Sequence, residues 1–295
     1  MTFCIKNDAF SAQISSFGAE LCSLRGKNGN EYIWQGDSKY WLGHSPLLFP
    51  IVGRLENNVY RCGKEEYHMS IHGFAKQREH KVMKQSGKEV ILCFDSDHDT
   101  KEQYPFDFRL ISRFVFESHG LSVTRIVENA GKTAMPFSIG EHIGFCVPIN
   151  GSAAFEDHIV IMEKPETLSM QNAKNASVLL PPIPFLNNEK VIEMKQELFI
   201  NGAVILRELS SRSITLCRKD GHGARIRVSF PHYSTLALWT KPGAPYLCIE
   251  PWDGHPSSPG WDGNIYTKDG IHCLNPGEHV EYPCSITIME GELFI

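Results

Sequence analysis

Three residues whose types suit proton transfer stand in stretches that are otherwise apolar or flanked by glycine. His72 lies in "SIHGFAKQREH" (70–80) and His142 in "FSIGEHIGFCVP" (137–148), each with a glycine within two residues and an aromatic residue shortly after. Neither segment carries the 3.6-residue apolar stripe of a helix, so both imidazoles belong to strands or loops. Glu250 closes the apolar run of "APYLCIEPWDG" (244–254), with Trp252 two positions on and a turn at Asp253-Gly254. A carboxylate there is expected at the rim of a sheet, where burial raises its pKa and hydrogen bonds oppose the rise. An indole beside it suits a sugar, whose ring has an apolar face and hydroxylated edges. Arg54, in "LLFPIVGRLENNVY" (47–60), adds a five-donor group behind a glycine that would let a ligand approach closely.

Each of these has a plainer alternative: a satisfied core histidine, a solvated carboxylate at a strand end, an ion-paired surface arginine. Metal binding needs three or four converging ligands, usually including a short-spaced pair. No His-x-His or His-x-x-x-His accompanies His72 or His142, which disfavours zinc. The chain has no G-x-S-x-G elbow, and its cysteines carry no protease signature, so nucleophilic catalysis lacks support. General acid–base chemistry remains, and imidazole with carboxylate is a natural pair for it.

Groups so distant along the chain have to be brought together by the fold. The chain has 295 residues, 42% hydrophobic and 21% charged, an ordinary globular composition with enough apolar material for a large core. Its formal charge of −5 comes without any Lys/Arg block, which argues against nucleic acid and anionic membrane and for a small-molecule partner. The N-terminal segment lacks a basic stretch followed by an apolar one, and the chain has no run of about 18 apolar residues. A cytoplasmic location is expected. Nine cysteines, an odd number without C-x-x-C spacing, predict no disulfide framework and read mostly as small buried hydrophobes.

Short alternating apolar runs dominate, broken by Gly, Asn, Asp and Pro: "FCIKND", "FSAQISS", "EVILCFDS", "FDFRLISRFVFES", "LSVTRIVENA", "SITLCRKD", "ARIRVSF", "TLALWT", "YLCIEPW" and "VEYPCSITIME". An Asn28-Gly29 turn reads as a hairpin signal. Without α-crossovers, a fixed-period repeat or a low-complexity linker, the expectation is one all-β antiparallel domain spanning 1–295. The Pro-rich "LLPPIPFLNN" at 179–188 is the best candidate for an internal boundary.

The order "FPIVGRL", "HGFA", "YPFDF", "MPFSIGEHIGF", "CIEPW", a K-x-G-I turn at Lys268–Ile271 and "NPGE" resembles the aldose 1-epimerases, or galactose mutarotases, and among them the LacX-like branch. The resemblance spans roughly residues 1–290. It implies a large antiparallel β-sandwich of the galactose mutarotase type, with no metal and no organic cofactor. It assigns Glu250 as general base, His142 as general acid, and His72 and Arg54 as substrate-binding residues. Trp252 joins them as a sugar-stacking surface on its own chemistry. The branch pattern Gly-x-His-Pro meets Ile143 here in place of proline. The further acidic sugar contact of galactose-type enzymes has no assigned position in this chain.

The implied activity is interconversion of the α and β anomers of a hexose. A carboxylate and an imidazolium on opposite sides of the ring would trade protons with the C1 hydroxyl and the ring oxygen. A non-catalytic sugar-binding protein on the same fold, or a hexose-phosphate mutarotase, are the alternatives. The second depends on where Lys76, Arg78, Arg109 and Lys241 point. Whether the protein is a monomer or a homodimer stays open.

Overall fold

The computed structural model describes residues 1–117, 120–149, 151 and 153–290. The alternating segments become strands because a period of two buries one side of each. Phe108–Phe116 and Leu121–Asn129 both bury every second residue, and they pair antiparallel. Leu121–Asn129 pairs in turn with His279–Met289. Fifteen strands form one sheet, and every strand pairing along it is antiparallel. A three-stranded sheet of Thr2–Lys6, Phe10–Ser15 and Glu20–Gly26 packs into the same core. Among the described residues the one α-helix is the four-residue His98–Lys101. None of their helices is long and apolar enough to cross a membrane.

The Pro-rich 179–188 stretch leads into an eleven-residue strand, Ile183–Glu193, paired with His158–Gln171. Only Leu186 and Ile192 of that strand are buried, and it pairs with one neighbour alone, so Pro184 deprives no second partner of a hydrogen bond. The Asn28-Gly29 turn is present, with Gly29 at φ 86°, and the returning limb is joined back by Gly26 N–H to the Asn30 carbonyl and Tyr32 N–H to the Leu24 carbonyl, an isolated bridge at Arg25–Glu31 rather than a strand. The cysteines are all unpaired. Four are buried (Cys93, Cys217, Cys248, Cys284), three are intermediate and two exposed, so fewer sit in the core than their spacing suggested.

A buried ion pair lies within this apolar interior. Arg125 donates from Nε to Glu141 Oε1 at 2.7 Å and from Nη2 to Oε2 at 3.0 Å, with both side chains at most 1% exposed. Arg125 also donates to the carbonyl of Ala19 at 3.2 Å. It therefore ties the residue before His142 to the residue before Glu20.

Candidate active site

Glu250 does not close its strand. The strand runs from Tyr246 to Asp253 and is buried throughout, with Thr235–Trp239 on one side and Ile139–Glu141 followed by Ile143–Cys146 on the other. Glu250 therefore stands on the face of the sheet rather than at its rim. The register Gly140↔Trp252 and Ile143↔Ile249 sets His142 directly opposite Glu250. The ladder is interrupted at this point, where Pro251 has no N–H to donate. Ile143, the departure from the branch pattern, is 2% exposed and resumes the pairing against Ile249.

Alternation along the two strands puts Gly140, His142 and Gly144 on one face, opposite Trp252, Glu250 and Cys248. The glycines are needed for the indoles beside them. A Cβ on Gly140 would come 2.5 Å from Trp252 Cδ1, and one on Gly144 would come 2.9 Å from Trp41 Cζ3. Their absence lets Trp252 and Trp41 lie close against the strand on either side of His142. Trp41 and the imidazole are tilted by 32° with ring centres 4.9 Å apart, and Trp239 meets the imidazole edge-on at 5.6 Å.

His142 Nε2 lies 3.4 Å from Glu250 Oε2. Burial pushes the His142 pKa down to about 4, against weaker upward pulls from its own backbone and Glu20, while the Lys76 charge adds to the depression. Burial also drives the Glu250 carboxyl well above its ordinary value, opposed by Trp252. Both shifts favour the neutral form of each group over the charged one.

His72 sits in a turn with φ 62°, followed by Gly73 at φ 67°, where a Cβ would come 2.1 Å from the carbonyl oxygen of Phe49. The Gly53 N–H donates to His72 Nδ1 at 3.1 Å. Because that N–H can only donate, Nδ1 is bare and the neutral ring carries its proton on Nε2. Burial first, then His142, Lys76 and Arg54, hold this imidazole well below its usual pKa. Its ring centre is 5.7 Å from that of His142 and 6.3 Å from that of Trp252. Lys76 secures the turn, its ammonium donating to the carbonyls of Ile71 and Gly73.

These residues line a cavity of about 870 Å³, whose wall includes His72, His142, Glu250 and the indoles of Trp41, Trp239 and Trp252. That volume is within the range of small-molecule sites, and the mixture of flat apolar surface with a few convergent polar groups is what a monosaccharide requires.

A family model, aldose 1-epimerase, matches residues 1–287. The chain belongs to the aldose 1-epimerase family. Protein LacX of Lactococcus lactis subsp. lactis, in its plasmid and chromosomal versions, is 32% identical over 278 residues, covering 90% of this chain and 91% of the relative. A galactose mutarotase related enzyme from Lactobacillus acidophilus superposes with a TM-score of 0.92 at 27% identity, covering all of both chains. A galactose mutarotase-like protein from Lactobacillus casei gives 0.88 at 29% identity, over 98% of this chain and all of its own. The all-β architecture expected for this aldose 1-epimerase family member is therefore the one it has.

The structure brings together four of the five residues singled out from the sequence: Glu250, His142, His72 and Trp252. Arg54 is elsewhere. Its guanidinium donates to Asn58 Oδ1 at 3.0 Å beside a neighbouring cleft, and it is Gly53 that faces the large cavity. Of the four cations whose direction was open, Lys76 reaches the cavity wall. Arg78 and Arg109 pair with Asp99 and Asp95, and Lys241 donates to the carbonyl of Lys39. Glu20, Trp41, Lys76 and Trp239 line the cavity without having been singled out as site residues. Glu20 Oε1 is held by the N–H groups of His44 and Ser45 at 2.8 and 2.9 Å. Only Trp239 had a usable signal, the strand "TLALWT" with its indole at the end.

Proposed function

We propose that this family member interconverts the α and β anomers of a free hexose by general acid–base opening and closing of the ring. The supporting observation is the His142–Glu250 contact of 3.4 Å on the floor of an indole-walled cavity. The two oxygens that exchange protons in mutarotation are bonded to the same carbon. Their acid and base must therefore stand side by side, as these do, rather than across the ring.

Ring opening removes the proton from the C1 hydroxyl and delivers one to the ring oxygen as the C1–ring oxygen bond breaks. If Glu250 accepts and His142 donates, the pair passes from imidazolium–carboxylate to imidazole–carboxylic acid. Its total stays at one proton. The open aldehyde rotates about its C1–C2 bond, and reclosure on the other face runs the same transfers backwards, restoring the pair. Burial favours the neutral arrangement also in the free protein, so the ion pair that starts ring opening is the less stable form and must be reached when the sugar binds. His72, with Nε2–H free to donate, orients the sugar, and Trp252 stacks on its apolar face.

Lys76 favours a second reading, a hexose phosphate as substrate, because it is a cation on the cavity wall with one donor left after its two backbone bonds. Polarimetry on freshly dissolved α-glucose, α-galactose and α-glucose 6-phosphate tests both readings. Acceleration of a free sugar beyond the spontaneous rate supports the first. Acceleration of the phosphate alone supports the second, and no acceleration of any sugar leaves a sugar-binding protein.

A further inference from the structure

The sheet face that carries the proposed acid–base pair carries a third potential metal ligand. Cys248 precedes Glu250 by two residues and so projects from the same side, opposite Gly144 and diagonal to His142. One donor atom from each of His142, Cys248 and Glu250 falls within 4.8 Å of the other two, and all three residues are buried. His142 is 9% exposed and Glu250 1%; Nε2 and Oε2 face each other, and the remaining atoms of the two groups, Nδ1 and Oε1, make no hydrogen bond that would hold the side chains in place.

The geometry suits a tetrahedral ion. Nitrogen and oxygen ligands at about 2.0–2.2 Å from zinc stand roughly 3.3–3.5 Å apart along a tetrahedron edge. The His142–Glu250 separation of 3.4 Å already spans that edge. A thiolate bond of about 2.3 Å requires only that the Cys248 side chain close in on the other two. His142 and Glu250 both line the cavity, which gives an ion access, and the sulfur selects borderline and soft ions over Mg²⁺ or Ca²⁺. Paired histidines play no part in this site; the pair that matters is the Cys-x-Glu of one strand facing a histidine of the next.

We infer that His142, Cys248 and Glu250 form an inhibitory site for Zn²⁺ or Cd²⁺, which silences the protein by occupying both proton-transfer groups. On binding, the Cys248 S–H bond gives way to a sulfur–metal bond and the Glu250 carboxyl proton is displaced. Both protons pass to solvent and no electron moves. The binding itself stands on geometry alone, and only its inhibitory effect rests on the function proposed above.

The test uses the whole protein, stripped with a chelator, and titrated with Zn²⁺ by calorimetry and with Co²⁺ by the sulfur-to-cobalt charge-transfer absorption. Wild type is compared with Cys248→Ser, Cys248→Ala, Glu250→Gln and Cys22→Ser. The last controls for the half-exposed Glu20, Cys22 and His44 group, in which one Glu20 oxygen already holds two backbone N–H groups. The expected result is at least about tenfold weaker zinc binding in both Cys248 variants and in Glu250→Gln, loss of the cobalt–thiolate band with Cys248, and retention of both in Cys22→Ser. Wild-type zinc affinity in the Cys248 variants, or loss of the band in Cys22→Ser, overturns the site. In wild type, zinc should abolish mutarotation and EDTA restore it. Cys248-dependent binding to a protein with no mutarotation to inhibit would instead count against the function, not the metal site.

Discussion

Replacing Glu250 by Gln separates chemistry from architecture, because the two side chains share a shape and differ in whether they can take up a proton. The carboxyl is 1% exposed, one oxygen lies 3.4 Å from His142 Nε2, and the other has no partner. Removing one of two proton-transfer groups is worth about 10²–10⁴ in rate, or roughly 3–5 kcal/mol at 1.36 kcal/mol per tenfold. The loss should fall on kcat, with KM nearly unchanged, since the carboxyl is assigned to moving a proton and not to holding the sugar. Stability should move the other way or stay put. Burial opposes the charged carboxylate, as its raised pKa records, and an amide escapes that cost. Polarimetry on fresh α-galactose, corrected for spontaneous mutarotation, gives the first quantity and thermal unfolding by circular dichroism the second. A folded Glu250→Gln protein whose kcat lies within tenfold of wild type would falsify the acid–base assignment.

His142→Asn should depress turnover far more than sugar affinity, whereas His72→Asn should weaken binding along with rate; the opposite pattern in steady-state polarimetry would mean that the two histidines have exchanged roles. Arg125→Met leaves Glu141 buried without its guanidinium, which should cost about 3–5 kcal/mol and lower Tm by roughly 6–20 °C. A drop of under about 2 °C would show that the pair contributes little. His80, 1% exposed and held near pKa 4 chiefly by burial, binds its proton more weakly in the folded protein than in the unfolded chain at about 6.5. Its stabilising share is therefore complete above about pH 6.5 and falls by up to roughly 3 kcal/mol as pH drops to 4, so the Tm advantage of wild type over His80→Gln should shrink across that window. EDTA should leave anomer interconversion intact or raise it, and a loss of activity reversed by zinc would overturn the metal-free mechanism.

The strands that could be read from the sequence are those whose two faces meet different environments. Phe108–Phe116 and Leu121–Asn129 bury alternate residues, so their apolar pattern carries the period of two. Ile183–Glu193 buries two of its eleven residues, leaving no pattern to find, and its prolines looked like a boundary. The opposite failure explains Glu250. Its strand is buried on both faces, so Glu250 marks no end, and the chain runs through it to Asp253 without leaving the sheet. His142 and Glu250 could be chosen for their types, but their contact depends on register between strands more than a hundred residues apart. A trace of it exists in Gly-x-His-x-Gly, where two glycines on the histidine's own face leave room for large neighbours. Trp41, Glu20 and Lys76 come from outside those two strands, and nothing in their local spacing announces where they converge.

The site divides physically between sheet and loop, and the division matches what each group is asked to do. His142 and Glu250 face one another across a ladder fixed on both sides of the interruption by Gly140↔Trp252 and Ile143↔Ile249, and behind them the Arg125–Glu141 pair locks the next residue along. Proton transfer tolerates little drift in distance, and paired strands in the middle of a large sheet supply that constancy. His72 instead occupies a left-handed turn held by the Gly53 N–H and the Lys76 ammonium, a few hydrogen bonds rather than a ladder. Turns of this kind can change in length and sequence without disturbing a core. On the proposed mechanism, sugar preference is expected to vary with the 49–76 segment and Trp41, and the chemistry to stay with the two strands, so that the same pair of carboxyl and imidazole would serve different hexoses.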